Sequence, residues 1–411
     1  MTDRGSAFPV NRREFLLGAA AVAAAARPVF ASKGVTTDPT LPASREDFPW
    51  AATETYLNAA AYHPISRASA QAMERYIAYR LNGPGPDRGD FDGDQQQEVK
   101  AMFGRLINAE ASEIAFVQST SDGENIVIAG MDLLHVGGNV VIDELHYNSS
   151  LYIYKTLEKA GLEVRLVPQR DGVIDVRDME AAIDRQTKLV SMALVSNVNG
   201  FMHDVKRVSE IAHAHGAYVY ADVIQAAGAV PMDVKAMGLD MCACSAYKWL
   251  MGDRGFGFLY IAEALQGNVV KPTRFGHRQY SSFDRETISW TQRSGGYLYE
   301  TGNISNVGAA CMHEALTYIL AVGVDTIRDH VRPLTDRLQR ELPGMGYAAM
   351  TPAGTDTPVV TFRLPDMAAT RARLARANIA VTTIDGPPRM RVSPSVYNTR
   401  RDVDRLIAAL A

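Results

Sequence analysis

The residue of this sequence with the most pointed chemistry is Lys248, set in the apolar run "CACSAYKWLMGDRGFGFLYI" over 242–261. An ammonium taken out of water loses hydration that an apolar wall cannot replace. Such an amine either snorkels to solvent from a strand end or is joined to a carbonyl group as a Schiff base. Other reactive side chains also follow short apolar runs. "STSDGEN" comes after "EIAFVQ" and carries Thr120 and Ser121. "ELHYN" comes after "NVVID" and carries His146. "NVNG" comes after "LVSMALVS" and opens with Asn197, Asp222 and Gln225 follow "AYVYA", and Ser245, Tyr247 and Lys248 follow "MCAC". Singly, each has a plain structural use: a helix N-cap, a surface histidine, a loop amide. Jointly they supply an amine, a carboxylate, amides, hydroxyls and an imidazole.

The elements that must position them are readable from periodicity. Strand-like runs alternate with amphipathic helical runs such as "NSSLYIYKTLEKAG" and "DVKRVSEIAHAHG", the rhythm of an α/β fold with a mostly parallel sheet flanked by helices. In such a sheet the ligand sits beyond the carboxyl ends of the strands, where these side chains fall. We expect a large domain over 56–308 and a smaller C-terminal α+β domain over 309–411, opened by the long helix "VGAACMHEALTYILAVG".

Pyridoxal phosphate asks for this set of groups: an amine for its aldehyde, an anion for its ring nitrogen, donors for its phosphate and a flat partner for its ring. Lys248 is the amine and Asp222 the anion. "STSDGEN", opening a helix, forms an anion cradle with Thr120 and Ser121, His146 lies over the ring, and Asn197 and Gln225 reach the ring hydroxyl. The run "YADVIQAAGAVPMDVKAMGLDMCACSAYKWLMGDRGFGFLYI" over 220–261 resembles the signature region of class V aminotransferases. These are fold-type-I pyridoxal-phosphate enzymes that include cysteine desulfurases, selenocysteine lyases, kynureninases and isopenicillin N epimerase. The resemblance implies that Lys248 forms the Schiff base and moves the α-proton, that Ser245 joins Thr120 and Ser121 at the phosphate, and that Tyr247 donates to it. "RMRVSPSVYN" resembles the segment whose arginine, here Arg391, binds the substrate carboxylate. "YETGNIS" resembles the stretch that reaches the phosphate of the other subunit in a homodimer, with Asn303 where threonine is usual.

"ARANIAVTTIDGPPRMR" holds no cysteine where the resemblance places a desulfurase nucleophile, so the expectation is an enzyme that is not a persulfide-forming cysteine desulfurase. Lyase- or epimerase-like chemistry at the α-carbon of an amino acid is preferred; a transaminase, or a non-catalytic periplasmic binding protein of this fold, is the alternative.

The remaining features bound the setting. "NRREFLLGAAAVAAAARPVFASKG" resembles a twin-arginine signal, with Arg12 and Arg13 ahead of an apolar run and cleavage after Ala31; export to the periplasm and a linker over 32–55 are the expectations. A net charge of −4 gives no reason to expect nucleic acid, and no His/Cys cluster has metal-ligand spacing. Cys242, Cys244 and Cys311 are read as packing residues.

Overall fold

A computed structural model describes residues 45–83 and 93–411, and these fall within one compact unit, Thr40–Ala411. The expected signal over 1–31 and the first part of the expected linker lie outside the described residues. The strands are, in chain order, β1 (Thr55–Tyr56), β2 (Ile114–Val117), β3 (Asn139–Asp143), β4 (Glu163–Val167), β5 (Thr187–Ala193), β6 (Tyr218–Asp222) and β7 (Met241–Ser245). There follow β8 (Gly257–Ile261), β9 (Tyr280–Asp284), β10 (Ser289–Gln292), β11 (Val360–Arg363), β12 (Ile379–Ala380), β13 (Thr382–Ile384) and β14 (Arg389–Val392).

Seven strands form one sheet in the order β2-β8-β7-β6-β5-β3-β4. Its pairings β4-β3-β5-β6-β7 are parallel, and β8 runs antiparallel to both neighbours. Covered on both faces, β3, β7 and β8 are buried along their whole lengths, which is why they read as unbroken apolar runs. Alternate residues serve two cores: Cys242, Cys244, Phe258 and Tyr260 point to one side, Met241, Ala243, Leu259 and Ile261 to the other. The cysteines thus act as packing groups, free and buried. Edge strand β4 carries Glu163 and Arg165 on an open surface, as an unpaired edge requires. Crossover helices follow the 3.6-residue period; Val205–Ala214 buries Val205, Val208, Ile211 and Ala212 and leaves its lysine and arginine outside.

A second, antiparallel sheet, β11-β14-β13, has its own core, in which Val360, Phe362, Met390 and Val392 meet Leu338 and Leu406. The helix Asn306–Val322, expected to open the smaller domain, instead buries Met312, Ala315, Leu316 and Ile319 in the core of the large sheet. The stretch expected as a linker is packed from Arg45 onward. Its guanidinium holds Asp402 at 2.8 Å, Phe48 is fully buried, and β1 pairs with β12. This tie brings the N-terminal segment against the C-terminal one, where Ala60 donates to Ser393 Oγ (3.0 Å) and Asn398 to the Tyr56 carbonyl (2.9 Å), two strand ends from Arg391.

Candidate active site

The carboxyl ends of β2, β3, β5, β6 and β7 gather the expected residues at one end of the sheet. Asp222 closes β6, and Ser245 closes β7. Lys248 sits in the turn beyond, its carbonyl accepting from Met251 N (2.8 Å). The helix Thr120–Gly130, N-capped by the Ser119 hydroxyl on Asp122 N (3.1 Å), lies directly over β7. That approach needs Gly123, since a Cβ there would stand 2.7 Å from the Ala243 Cβ. Close packing brings Thr120 to Ser245: Thr120 N donates to Ser245 Oγ (2.8 Å), and Ser245 N to Thr120 Oγ1 (3.0 Å). Two hydroxyls and the amide end of a helix are thereby held together, the arrangement that receives a phosphate.

Lys248 and Arg391 are both buried, and neither has a carboxylate within ion-pair distance among the described residues. Burial, and then the charge of Arg391, lower the Lys248 pKa to about 8, with Asp222 pulling the other way. An amine so placed is unprotonated in a much larger fraction near neutrality than an ordinary lysine and can attack an aldehyde. Arg391 is lowered to about 10 by burial and by neighbouring Arg389. Its Nη1 donates to the Asn197 carbonyl (3.0 Å), while its Nε is buried without a partner. A guanidinium held by a carbonyl and lacking an anion is a seat for a carboxylate. Burial raises Asp222 to about 6, against the donation of Ile224 N (2.9 Å) and the charge of Lys248, so a nearby cation would return it to its ionised form.

The other expected residues are placed less uniformly. Asn197 leaves Oδ1 buried and unpaired, an acceptor in want of a hydroxyl. The Gln225 amide is tied down by the Ala60 carbonyl (3.1 Å) and Trp249 Nε1 (2.9 Å), with one N–H to spare. The Tyr247 ring lies 5.7 Å from Lys248 Nζ and stacks on Tyr62. Ser121 is the second helical residue, half-buried beside Thr120. Asn303 is remote from the amine; exposed, it meets His277 Nε2 at 3.0 Å and lines a separate cavity with Arg274.

His146, expected as the ring's flat partner, is wholly buried, its Nδ1 accepting from Tyr147 N (2.8 Å) and its Nε2 facing Ser191 Oγ (3.0 Å). A second aromatic ring beside the amine, with that of Tyr247, is Tyr147, 36% exposed and 5.8 Å from Lys248 Nζ. The Asp143 carboxylate accepts from Leu145 N (2.8 Å) at the start of this turn. Tyr147 lies within the quoted stretch "ELHYN" and was legible as a candidate. Less legible is Glu124, a buried carboxylate accepting from Ser150 Oγ (2.7 Å) and Ser191 Oγ (3.2 Å) and raised to about 7 by burial and by Asp222.

The residues present fit pyridoxal phosphate. Lys248 offers a free amine, Thr120 and Ser245 a phosphate seat, Asp222 an anion, Asn197 an unused acceptor and Arg391 an unpaired guanidinium.

Comparison with known proteins places this arrangement. The chain is 30% identical over 383 residues to a probable cysteine desulfurase of Halalkalibacterium halodurans, covering 86% of this chain and 92% of that one. Among solved structures it resembles the apo cysteine desulfurase of Thermococcus onnurineus NA1, with a TM-score of 0.79, 24% identity and coverage of 92% and 98%. It also resembles a cystine C-S lyase, C-DES, in complex with cysteine persulfide, with a TM-score of 0.80, 19% identity and coverage of 88% and 98%. These findings overturn the exclusion of persulfide-forming cysteine desulfurase activity. A likeness that spans the whole fold, to proteins carrying that name, outweighs a cysteine missing from one loop. Residues 55–406 match the family model described as aminotransferase class-V; the chain belongs to that family, with its fold-type-I α/β architecture and pyridoxal phosphate as cofactor.

Proposed function

We propose that this protein acts at the α-carbon of an amino acid and carries out lyase chemistry on a sulfur-bearing substrate of the cysteine or cystine kind, as the names of its relatives suggest. The observation that carries the reading is the pair of buried cations without a carboxylate at ion-pair distance, Lys248 and Arg391, close enough for their charges to interact and with the Asp222 charge acting on the amine. Bound pyridoxal phosphate supplies an electron-withdrawing ring for the electrons released at the α-carbon. Lys248 would hold the aldehyde, and its amine is the base placed for the α-proton, its lowered pKa raising the fraction that is unprotonated near neutrality. Arg391 grips the substrate carboxylate and so fixes which α-bond faces Lys248. Asp222 keeps a proton on the ring nitrogen; Thr120 and Ser245 hold the phosphate; Tyr147 covers the ring.

The test is to incubate the purified protein with pyridoxal phosphate, record the visible spectrum, and score pyruvate, ammonia, sulfide and inversion from a panel of amino acids. A yellow band, lost in Lys248→Ala, with pyruvate from cysteine or cystine, is expected. A colourless protein, or a new keto acid formed only with an added amino acceptor, would overturn the reading. We also propose export through Arg12 and Arg13, checked by replacing both with lysine and measuring periplasmic delivery. A homodimer in which Asn303 serves the other subunit is checked by solution mass and by the cofactor affinity of Asn303→Ala.

A further inference from the structure

Beside the proposed site lies a cavity of about 790 Å³, within the range of small-molecule sites. Three chain segments tie the two together. Leu145 lines the cavity, and Tyr147, two residues on, faces Lys248. Asn199 lines it, and the Asn197 carbonyl holds Arg391. Arg389 lines it, and Arg391 is two residues along the same strand, on the same face of β14. Each of these three segments thus runs from the cavity lining to a residue of the proposed site.

The cavity wall carries two arginines and two carboxylates. Arg363 and Arg389 both line it and stand directly opposite each other in the β11–β14 register. Like charges so placed repel, and no carboxylate lies within ion-pair distance of either among the described residues. Arg389 reaches only the Pro387 carbonyl, at 3.4 Å, and its Nε is buried without a partner. Glu144 and Asp171 line the cavity too, but the Glu144 carboxylate is taken by Gln169 N (3.0 Å). Arg389 and Arg391 stand about 7 Å apart at Cα, the advance of two strand residues.

We propose that Arg389, assisted by Arg363, binds an anionic group at the far end of the substrate's side chain, so that this enzyme prefers sulfur-bearing amino acids whose side chain ends in an acid, for which glutamate is a binding probe. The proposal rests on the functional reading above, with Arg391 taking the α-carboxylate. An acid group between the two arginines would satisfy the Nε left bare and relieve the cross-strand repulsion.

The test uses the cofactor-loaded protein and equilibrium binding. L-Glutamate and L-glutamine, matched in shape and different in charge, are titrated against the visible spectrum. Glutarate, which has no amine, is titrated by calorimetry. Glutamate is expected to bind at least about tenfold more tightly than glutamine. Arg389→Met should erase that difference and the glutarate heat while leaving glutamine binding in place. Arg363→Met, on a more exposed residue, should reduce the preference in part, and Arg389→Lys should retain some of it. Arg391→Met should weaken both amino acids alike. Equal affinities in the unaltered protein, or a preference that survives Arg389→Met, would overturn the proposal and leave the functional reading standing. Absence of the yellow band would instead sink the reading and the proposal with it.

Discussion

Two buried lysines in this molecule are handled in opposite ways. Lys100 is 1% exposed and has a full complement of partners: Glu300 lies 2.6 Å from its Nζ, and Arg278 holds the other carboxylate oxygen at 2.7 Å. Phe116 N also donates to that carboxylate (3.0 Å), so the cluster locks the helix Gly93–Ile107 and β2 to the segment ahead of Asn306–Val322. Lys248 is nearly as buried and has two aromatic rings beside it, no carboxylate at ion-pair distance among the described residues, and the charges of Arg391 and Asp222 acting on it in opposite senses. A fold that pairs one buried cation so completely has the means to pair another; the Lys248 amine is left bare because its partner arrives from outside. The same holds for Arg391 against Arg278.

That contrast can be broken at either end. The largest effect belongs to the paired region. Glu300→Gln leaves Lys100 and Arg278 without their anion and should lower stability by about 3–5 kcal/mol in denaturant titration, with the cofactor spectrum intact in whatever remains folded. Next, Arg391→Met should weaken binding of amino acid substrates by about 100-fold, or roughly 2.7 kcal/mol, while the cofactor-free protein keeps its stability; spectral titration and denaturant melts read the two separately. If Arg391→Met destabilises as Glu300→Gln does, the guanidinium is structural. A smaller effect of opposite sign is expected at the amine: Lys248→Met should stabilise the cofactor-free chain by about 1–2 kcal/mol at neutral pH, since it removes a buried cation with no partner.

The fourth prediction concerns pH. The Lys248 pKa in the fold, about 8, lies below the value near 10.5 of an unfolded lysine, so between those pH values the unfolded chain binds the extra proton. Stability should therefore rise with pH across that window, and the advantage of Lys248→Met should shrink over the same interval. Denaturant melts of both proteins from pH 7 to 10.5 check the sign; a gap that is constant with pH would mean that Lys248 is not held as a desolvated amine. Smallest of all, Tyr147→Ala should weaken cofactor affinity several-fold, about 1 kcal/mol of ring contact, and His146→Ala should act through stability instead.

Much of this was legible along the chain because period-two and period-3.6 patterns are local. β7 and the helix Thr120–Gly130 announce themselves, and the rule that ligands gather beyond parallel strand ends then brings Thr120, Asp222, Ser245 and Lys248 together. What escaped was set by contacts distant in sequence or by side-chain rotation. The Lys100–Glu300 pair spans two hundred residues, and nothing beside Lys100 signals its carboxylate. Gln225 is tied to Ala60 and Trp249 by an arrangement that only the packed N-terminal segment creates. His146 and Tyr147 are neighbours in a single turn, yet His146 is wholly buried and Tyr147 is 36% exposed, a difference that periodicity does not foretell. Desulfurase activity is not decided by one position: a cysteine absent from the stretch "ARANIAVTTIDGPPRMR" weighs less than a likeness that spans the fold.

The most direct test of the central claim is to load the protein with pyridoxal phosphate, reduce it with borohydride, digest it and locate the pyridoxyl mass by peptide sequencing. The account predicts a single modified residue, Lys248, with Lys100 untouched. Modification spread over surface lysines, or absent from Lys248, would contradict it.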